Sequence, residues 1–201
     1  MELLLIRHAL PVRIEDADGP ADPSLADLGV RQAEALAAWL ADEPIDTVYT
    51  SPLRRAQQTA APLADRLALD PIIDDELAEF DQTAAFYIPI EELKAENDPR
   101  WQQLIDGDWS FGGTDDRTVF VDRVVAAVER LVQAHPGGTI ALVCHGGVVN
   151  AYLAHVLGLA EPMFFEPAYA SISRVMAARS GQRQLRSINE SAHVRELLPP
   201  R

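Results

Sequence analysis

A single cysteine, Cys144, leaves the chain without any internal disulfide. Its flank Ile140-Ala141-Leu142-Val143 reads as a buried strand, which suits an unreactive thiol in a reducing cytoplasm. Basic residues are also scarce. The 17 Lys and Arg stand against 31 Asp and Glu, and the resulting net charge of −14 repels polyanions. Duplex nucleic acid and anionic membrane are thereby disfavoured as partners, and any anion site has to be local. No apolar run reaches the roughly 18 to 20 residues of a membrane span, and no basic region precedes the short apolar run in Met1 to Arg7. The expectation is a soluble, non-exported, cytoplasmic protein. Internal repeats, linkers and low-complexity tracts are absent as well.

What is present is apolar residue in quantity, 48% of 201 residues, enough for one domain with its own core. Leu3 to Ile6 is a continuous apolar run, as in a strand buried on both faces of a parallel sheet. Residues 9–26 read as a loop, and Ala33, Leu36, Ala37 and Leu40 then repeat at helical spacing. Asp46 to Thr50 predicts a second strand, followed by Ser51 as helix N-cap and Pro52 at the first helical position, with the helix running to about Leu67. Pro71-Ile72-Ile73 suggests a short third strand. From about 80 to 115 the pattern loosens into an irregular, partly helical insertion or lid. Val121, Val124, Val125, Val128, Leu131 and Val132 restore a helical face that ends near Pro136-Gly137-Gly138. Thr139 to Cys144 is the next strand, His145-Gly146-Gly147 opens a helix to about Leu157, and 171–177 and 184–188 read as final strands. Such alternation implies a three-layer α/β/α sandwich around a mostly parallel sheet.

In open α/β sheets, sites form outside the carboxyl ends of the strands, so the residues that follow each strand are candidates. Three of those ends are rich in chemistry: Arg7-His8, then Ser51 with Arg55 one turn into its helix, then His145-Gly146-Gly147. Glycine N–H groups at a helix N-terminus favour an anion. Arginine adds a planar fork that donates two hydrogen bonds to phosphoryl oxygens and keeps its charge. Singly, each has a structural reading, as a satisfied histidine or a solvated arginine. Together, two arginines, two histidines and a helix N-terminus describe a phosphate pocket.

The motifs are also similar to those of a known family. Leu5-Ile6-Arg7-His8 resembles the Arg-His-Gly signature of the histidine phosphatase superfamily, of phosphoglycerate mutase-like fold, and Ser51 to Ala60 resembles its second signature, with the active-site arginine at Arg55. Leu25 to Ala33 is similar to the segment between them, Val143 to Gly147 resembles the later His-Gly signature, and Leu77-Ala78-Glu79 sits where the family has its acid. The resemblance implies that His8 attacks phosphorus and forms a phosphohistidine. It implies further that Arg7, Arg55 and His145 hold the phosphoryl oxygens, beside the Gly146 N–H offered by the helix N-terminus, and that Glu79 protonates the leaving oxygen. No metal and no cofactor is needed. Zinc bound by His8, His145 and Glu79 is a rival reading that the flanking arginines disfavour. His135, His155 and His193 lack a motif and default to structural roles.

Departures from the family pattern limit the substrate. Ala9 stands where the signature has glycine, which is tolerable if φ stays negative, and Ile14 stands near the usual phosphate-binding asparagine. Arg13 is a candidate substitute for that contact, with a surface ion pair as the alternative. Phe80-Asp81-Gln82-Thr83 follows Glu79 and lacks both the Gly-x-Trp-Glu-Gly type segment of many phosphatases and the Arg-His-Tyr-Gly segment of the mutases. Phe80, Phe86, Tyr87, Trp101 and Trp109 either line a lid or give the insertion a small core of its own. The leading expectation is a metal-independent phosphatase of a small organic phosphomonoester. The alternatives are a phosphoglycerate mutase, which needs the missing segment, and a non-catalytic phospho-ligand binding protein. Monomer and homodimer both remain open.

Overall fold

The computed structural model describes residues 1–110 and 117–198. Six strands form one sheet: β1 (Glu2–Arg7), β2 (Thr47–Thr50), β3 (Ile72–Ile73), β4 (Thr139–Cys144), β5 (Ile172–Ala177) and β6 (Arg183–Glu190). Their spatial order is β3-β2-β4-β1-β5-β6. The β3-β2, β2-β4 and β4-β1 pairs are parallel, while β5 joins β1 and β6 joins β5 antiparallel. The helices are α1 (Asp27–Trp39), α2 (Arg54–Leu67), α3 (Ile90–Ala95), α4 (Pro99–Ile105), α5 (Arg117–Ala134) and α6 (Gly146–Leu157).

The apolar run of β1 is continuous because both faces of the strand are covered. Leu3 and Leu5, with Ile140, Leu142 and Cys144 of β4, face a core built with α5 and α6. Leu4 and Ile6, with Ala141 and Val143, face a second core built with α1 and α2. The period of two along each strand thus distributes one apolar run over two helical layers. The expected α/β/α sandwich is the observed architecture.

Two local expectations need correction. Ser51 and Pro52 precede α2, whose N-cap is Leu53, in extended conformation at φ −74° and ψ 136°. The Ser51 hydroxyl is engaged elsewhere, by His145 and by the Leu53 N–H, and the first free helical N–H, that of Arg54, donates instead to Asp22 Oδ1 at 2.8 Å. The C-terminal Ala192–Leu197 forms a 3₁₀ segment, where no element was expected, and buries Val194 against α1. Three-residue turns leave too short a repeat to read from sequence.

The segment after Glu79 contains α3 and α4, and its aromatic residues divide. Phe80 and Trp109 pack on each other at 4.8 Å and on Phe120 of α5, as part of the main core, whereas Tyr87 turns toward His8. Phe86 and Trp101 lie under Arg100 and Lys94. Phe111 and the rest of the insertion to 115 lie outside the described residues. Among the described residues no helix is long and apolar enough to cross a membrane.

Candidate active site

The strand order places the carboxyl ends of β2, β4 and β1 side by side. Thr50 pairs with Val143, and Arg7 with Cys144, so Ser51, His145 and His8 follow on three adjacent strands. The ladder reaches them: the His8 N–H donates to Cys144 O at 2.8 Å and the Ser51 N–H to Val143 O at 3.0 Å. The His8 and His145 rings lie 5.1 Å apart, both buried.

The His8 Nδ1 sits 2.8 Å from the Ala9 carbonyl oxygen. A carbonyl only accepts, so Nδ1 carries the ring proton and Nε2 holds the lone pair. Burial, then the charges of Arg55 and Arg7, push the imidazole well below its ordinary pKa, so the ring is neutral. Ala9 is held in turn, its N–H donating to Thr59 Oγ1 at 2.9 Å, and Thr59 Oγ1 donates to Arg55 O at 2.7 Å. The φ of Ala9 is not in the left-handed region, so its methyl replaces the family's glycine without strain.

Arg7 and Arg55 are buried cations with one side engaged. Arg7 Nη1 donates to Glu91 Oε1 at 2.6 Å and to the Pro167 carbonyl, and the guanidinium lies 3.9 Å from the Tyr169 ring centroid. Arg55 Nη2 donates to Asp81 Oδ1 at 3.0 Å, and its guanidinium lies over Tyr87 at 4.6 Å. Burial opposes both charges, but Glu91 and Asp81 hold the two guanidinium pKa values above the ordinary one. Of their other nitrogens, Arg7 Nε and Arg55 Nε and Nη1 are buried with no partner among the described residues, as is His145 Nδ1. His145 Nε2 lies 2.7 Å from Ser51 Oγ, which already accepts from the Leu53 N–H. In the tautomer where the Ser51 hydroxyl donates to Nε2, the ring proton of His145 sits on Nδ1.

Glu79 completes the cluster from the end of a 3₁₀ turn. Its Oε2 accepts the Gly147 N–H at 2.8 Å and its Oε1 the Phe80 N–H at 3.1 Å. The helix N-terminus expected to present Gly147 to an external anion presents it instead to this carboxyl group, whose charge suits that end of α6. A Cβ on residue 147 would come within 2.3 Å of Glu79 Oε1, so only glycine allows the approach. Gly146 opens α6 beside Arg7, with its Cβ direction 3.7 Å from Arg7 Nε. Burial foremost, then Asp81, raises the Glu79 pKa to about 7 against the pull of the two N–H groups and Arg55.

The structure does not bring Arg13 into this group. Its guanidinium is partly exposed and pairs with Glu92, Glu15 and Glu96 at 2.8, 3.2 and 3.3 Å. Beside it, Ile14 exchanges both backbone hydrogen bonds with Tyr87 and so clamps the ring that faces Arg55. Cys144 is buried and its thiol pKa is pushed up by burial, as an unreactive thiol requires. His135 bonds Tyr49, His193 stacks on Trp39 and His155 lies against Tyr152, all outside the cluster. Among the described residues no three His, Cys, Asp or Glu side chains are grouped to hold a metal ion. Glu91, Asp81 and Tyr169 are the contributors that sequence reasoning did not single out, whereas Ser51 stood among the strand-end candidates and Tyr87 among the lid aromatics.

This fold and these strand ends define a class. The chain belongs to the histidine phosphatase superfamily (branch 1), whose family model matches residues 3–191. A bifunctional protein of Mycobacterium tuberculosis is 31% identical over 203 residues, covering 96% of this chain and 54% of its own, so the chain spans about half that relative's length. Phosphoserine phosphatase 1 of Hydrogenobacter thermophilus is 27% identical over 163 residues, covering 79% of this chain and 77% of its own. Among solved structures, a mycobacterial glucosyl-3-phosphoglycerate phosphatase superposes with a TM-score of 0.76 at 27% identity, over 95% of this chain and 99% of that one.

Proposed function

We propose that the protein is a metal-independent phosphatase that hydrolyses a small organic phosphomonoester through a phosphohistidine on His8. The observation that carries this reading is a neutral, buried histidine with its Nε2 lone pair free, beside three buried guanidinium nitrogens of Arg7 and Arg55 that find no acceptor among the described residues. Leaving such donors unsatisfied costs roughly 1–3 kcal/mol each, and phosphoryl oxygens supply the acceptors. Nε2 attacks phosphorus in line, and the bond to the leaving oxygen breaks as Glu79 gives that oxygen its proton. Arg7, Arg55 and His145 hold the equatorial oxygens through the transition state, with Gly146 at the same helix end. The positive charge on the phosphorylated ring is relieved by its Nδ1–H bond to the Ala9 carbonyl. Water then attacks phosphorus, Glu79 takes its proton, the P–N bond breaks, and phosphate leaves with His8 restored. The test is phosphate release from a panel of phosphomonoesters by wild type and His8→Ala. The variant is expected to lose at least about a thousandfold in rate, the scale seen when a covalent nucleophile is removed. Equal rates overturn the assignment.

A further inference from the structure

Resting on the phosphatase reading above, we propose that the site selects its substrate by leaving-group charge, with Glu91 and Asp81 as the specificity-determining residues. Monoesters of ammonium-bearing or uncharged alcohols are accepted, and those whose alcohol carries a carboxylate or a second phosphate are rejected. Each buried arginine is held by one carboxylate that is more exposed than itself. The Arg7 side chain is 7% exposed and that of Glu91 33%; the Arg55 side chain is 1% exposed and that of Asp81 21%. The acids therefore stand on the solvent side of the arginines, while the unengaged donors are buried within. A phosphoryl group seated on those inner donors leaves its alcohol on the side of the two carboxylates. Glu91 is fixed there by Tyr169, whose hydroxyl donates to Oε2 at 3.0 Å. Burial works against its charge, but Arg7 outweighs it, and the Glu91 carboxyl stays below its ordinary pKa and ionised.

Among the described residues, the cations around the site are already engaged: Arg123 donates to the Glu76 and Ala78 carbonyls, and the others are paired with acids. Residues 80–110 contain seven acidic residues and only two basic ones, Lys94 and Arg100. Lys94 is paired with Glu166 at 2.5 Å and Arg100 with Asp98 at 2.7 Å. Arg13 has three carboxylates around it, and Arg54, next to Arg55, turns outward toward Asp22. An anionic leaving group thus meets like charge in a partly desolvated setting, where Coulomb repulsion is weakly screened. An ammonium group meets a partner.

The experiment compares kcat/KM for ethanolamine phosphate, glycerol 3-phosphate and 3-phosphoglycerate, with p-nitrophenyl phosphate as reference. Wild type is expected to favour the first two over 3-phosphoglycerate by about tenfold or more, the size of effect that close like charges produce. Glu91→Gln and Asp81→Asn are each expected to narrow that ratio by about threefold or more, and added KCl to narrow it in wild type. Because the readout is a ratio, a general loss of activity in a variant does not imitate the effect, and the wild-type ranking needs no variant. A wild type that prefers 3-phosphoglycerate, or a ratio unmoved in both variants, overturns the inference alone. Failure to hydrolyse p-nitrophenyl phosphate or any other ester in the set overturns the phosphatase reading beneath it.

Discussion

Proton placement decides the chemistry at single residues. The Ala9 carbonyl assigns the His8 proton to Nδ1, and burial between two arginines keeps the ring neutral well below the usual histidine range. Glu79 is shifted the other way, to about 7, and as an acid it acts only when protonated. The signs together give a one-sided profile. kcat/KM is expected to fall as pH rises through about 7, with no acid limb near the ordinary histidine pKa, and Glu79→Gln is expected to remove the alkaline fall. The same variant is expected to lose about a hundredfold on an alkyl phosphate and far less on p-nitrophenyl phosphate, whose leaving group needs no proton. Equal losses on both substrates exclude Glu79 as the acid. Of these features, the identities of His8 and Glu79 were legible in the motifs. Their protonation was not, since it depends on a neighbouring carbonyl, on two N–H groups and on burial.

At the level of elements, two glycines fix how helices meet the site. Gly147 lets the start of α6 close on Glu79, and Gly147→Ala places a methyl 2.3 Å from Oε1. The carboxyl group has to move, and displacement of about 1 Å costs up to roughly a hundredfold in rate. Gly147→Ala is therefore expected to fold, by circular dichroism, while losing about ten- to a hundredfold in kcat/KM. Gly29 on α1 faces backbone instead, with its Cβ direction 2.0 Å from Leu10 O. That carbonyl accepts the Ala26 N–H at 3.0 Å, and Leu10 N–H donates to Gln32 Oε1 at 2.9 Å, so α1 and the loop after His8 are locked together. Backbone cannot rotate away, and Gly29→Ala is expected to lower stability by about 2–3 kcal/mol in urea unfolding. A change under about 0.5 kcal/mol argues that the loop yields freely. Helix and strand positions followed from periodicity because both core faces impose it. The displaced start of α2 did not, because a serine that reads as a cap is drawn into a hydrogen bond with a histidine 94 residues away.

For the whole molecule, the net charge of −14 opposes the approach of a phosphate dianion. Raising KCl from about 0.01 to 0.2 M shortens the screening length from about 30 Å to under 10 Å, and kcat/KM is expected to rise about two- to fivefold. A fall over the same range shows that local arginines, not the global field, govern encounter. Sheet topology is the other property at this scale. Strand order β2-β4-β1 is what turns three separate sequence motifs into one cluster.

Sequence alone determined the alternation of elements, the double-faced burial of β1, and which histidines, arginines and acid to look for at the strand ends, because each is written in short-range pattern or motif. Tertiary structure decided which carboxylates meet those arginines, which tyrosines lie against them, and that Arg13 points to surface acids. Those contacts join residues 26 and 84 positions apart, as Arg55 to Asp81 and Arg7 to Glu91. A loosely patterned segment carries no periodicity to reveal which of its acids turn inward, and only packing against the sheet selects them.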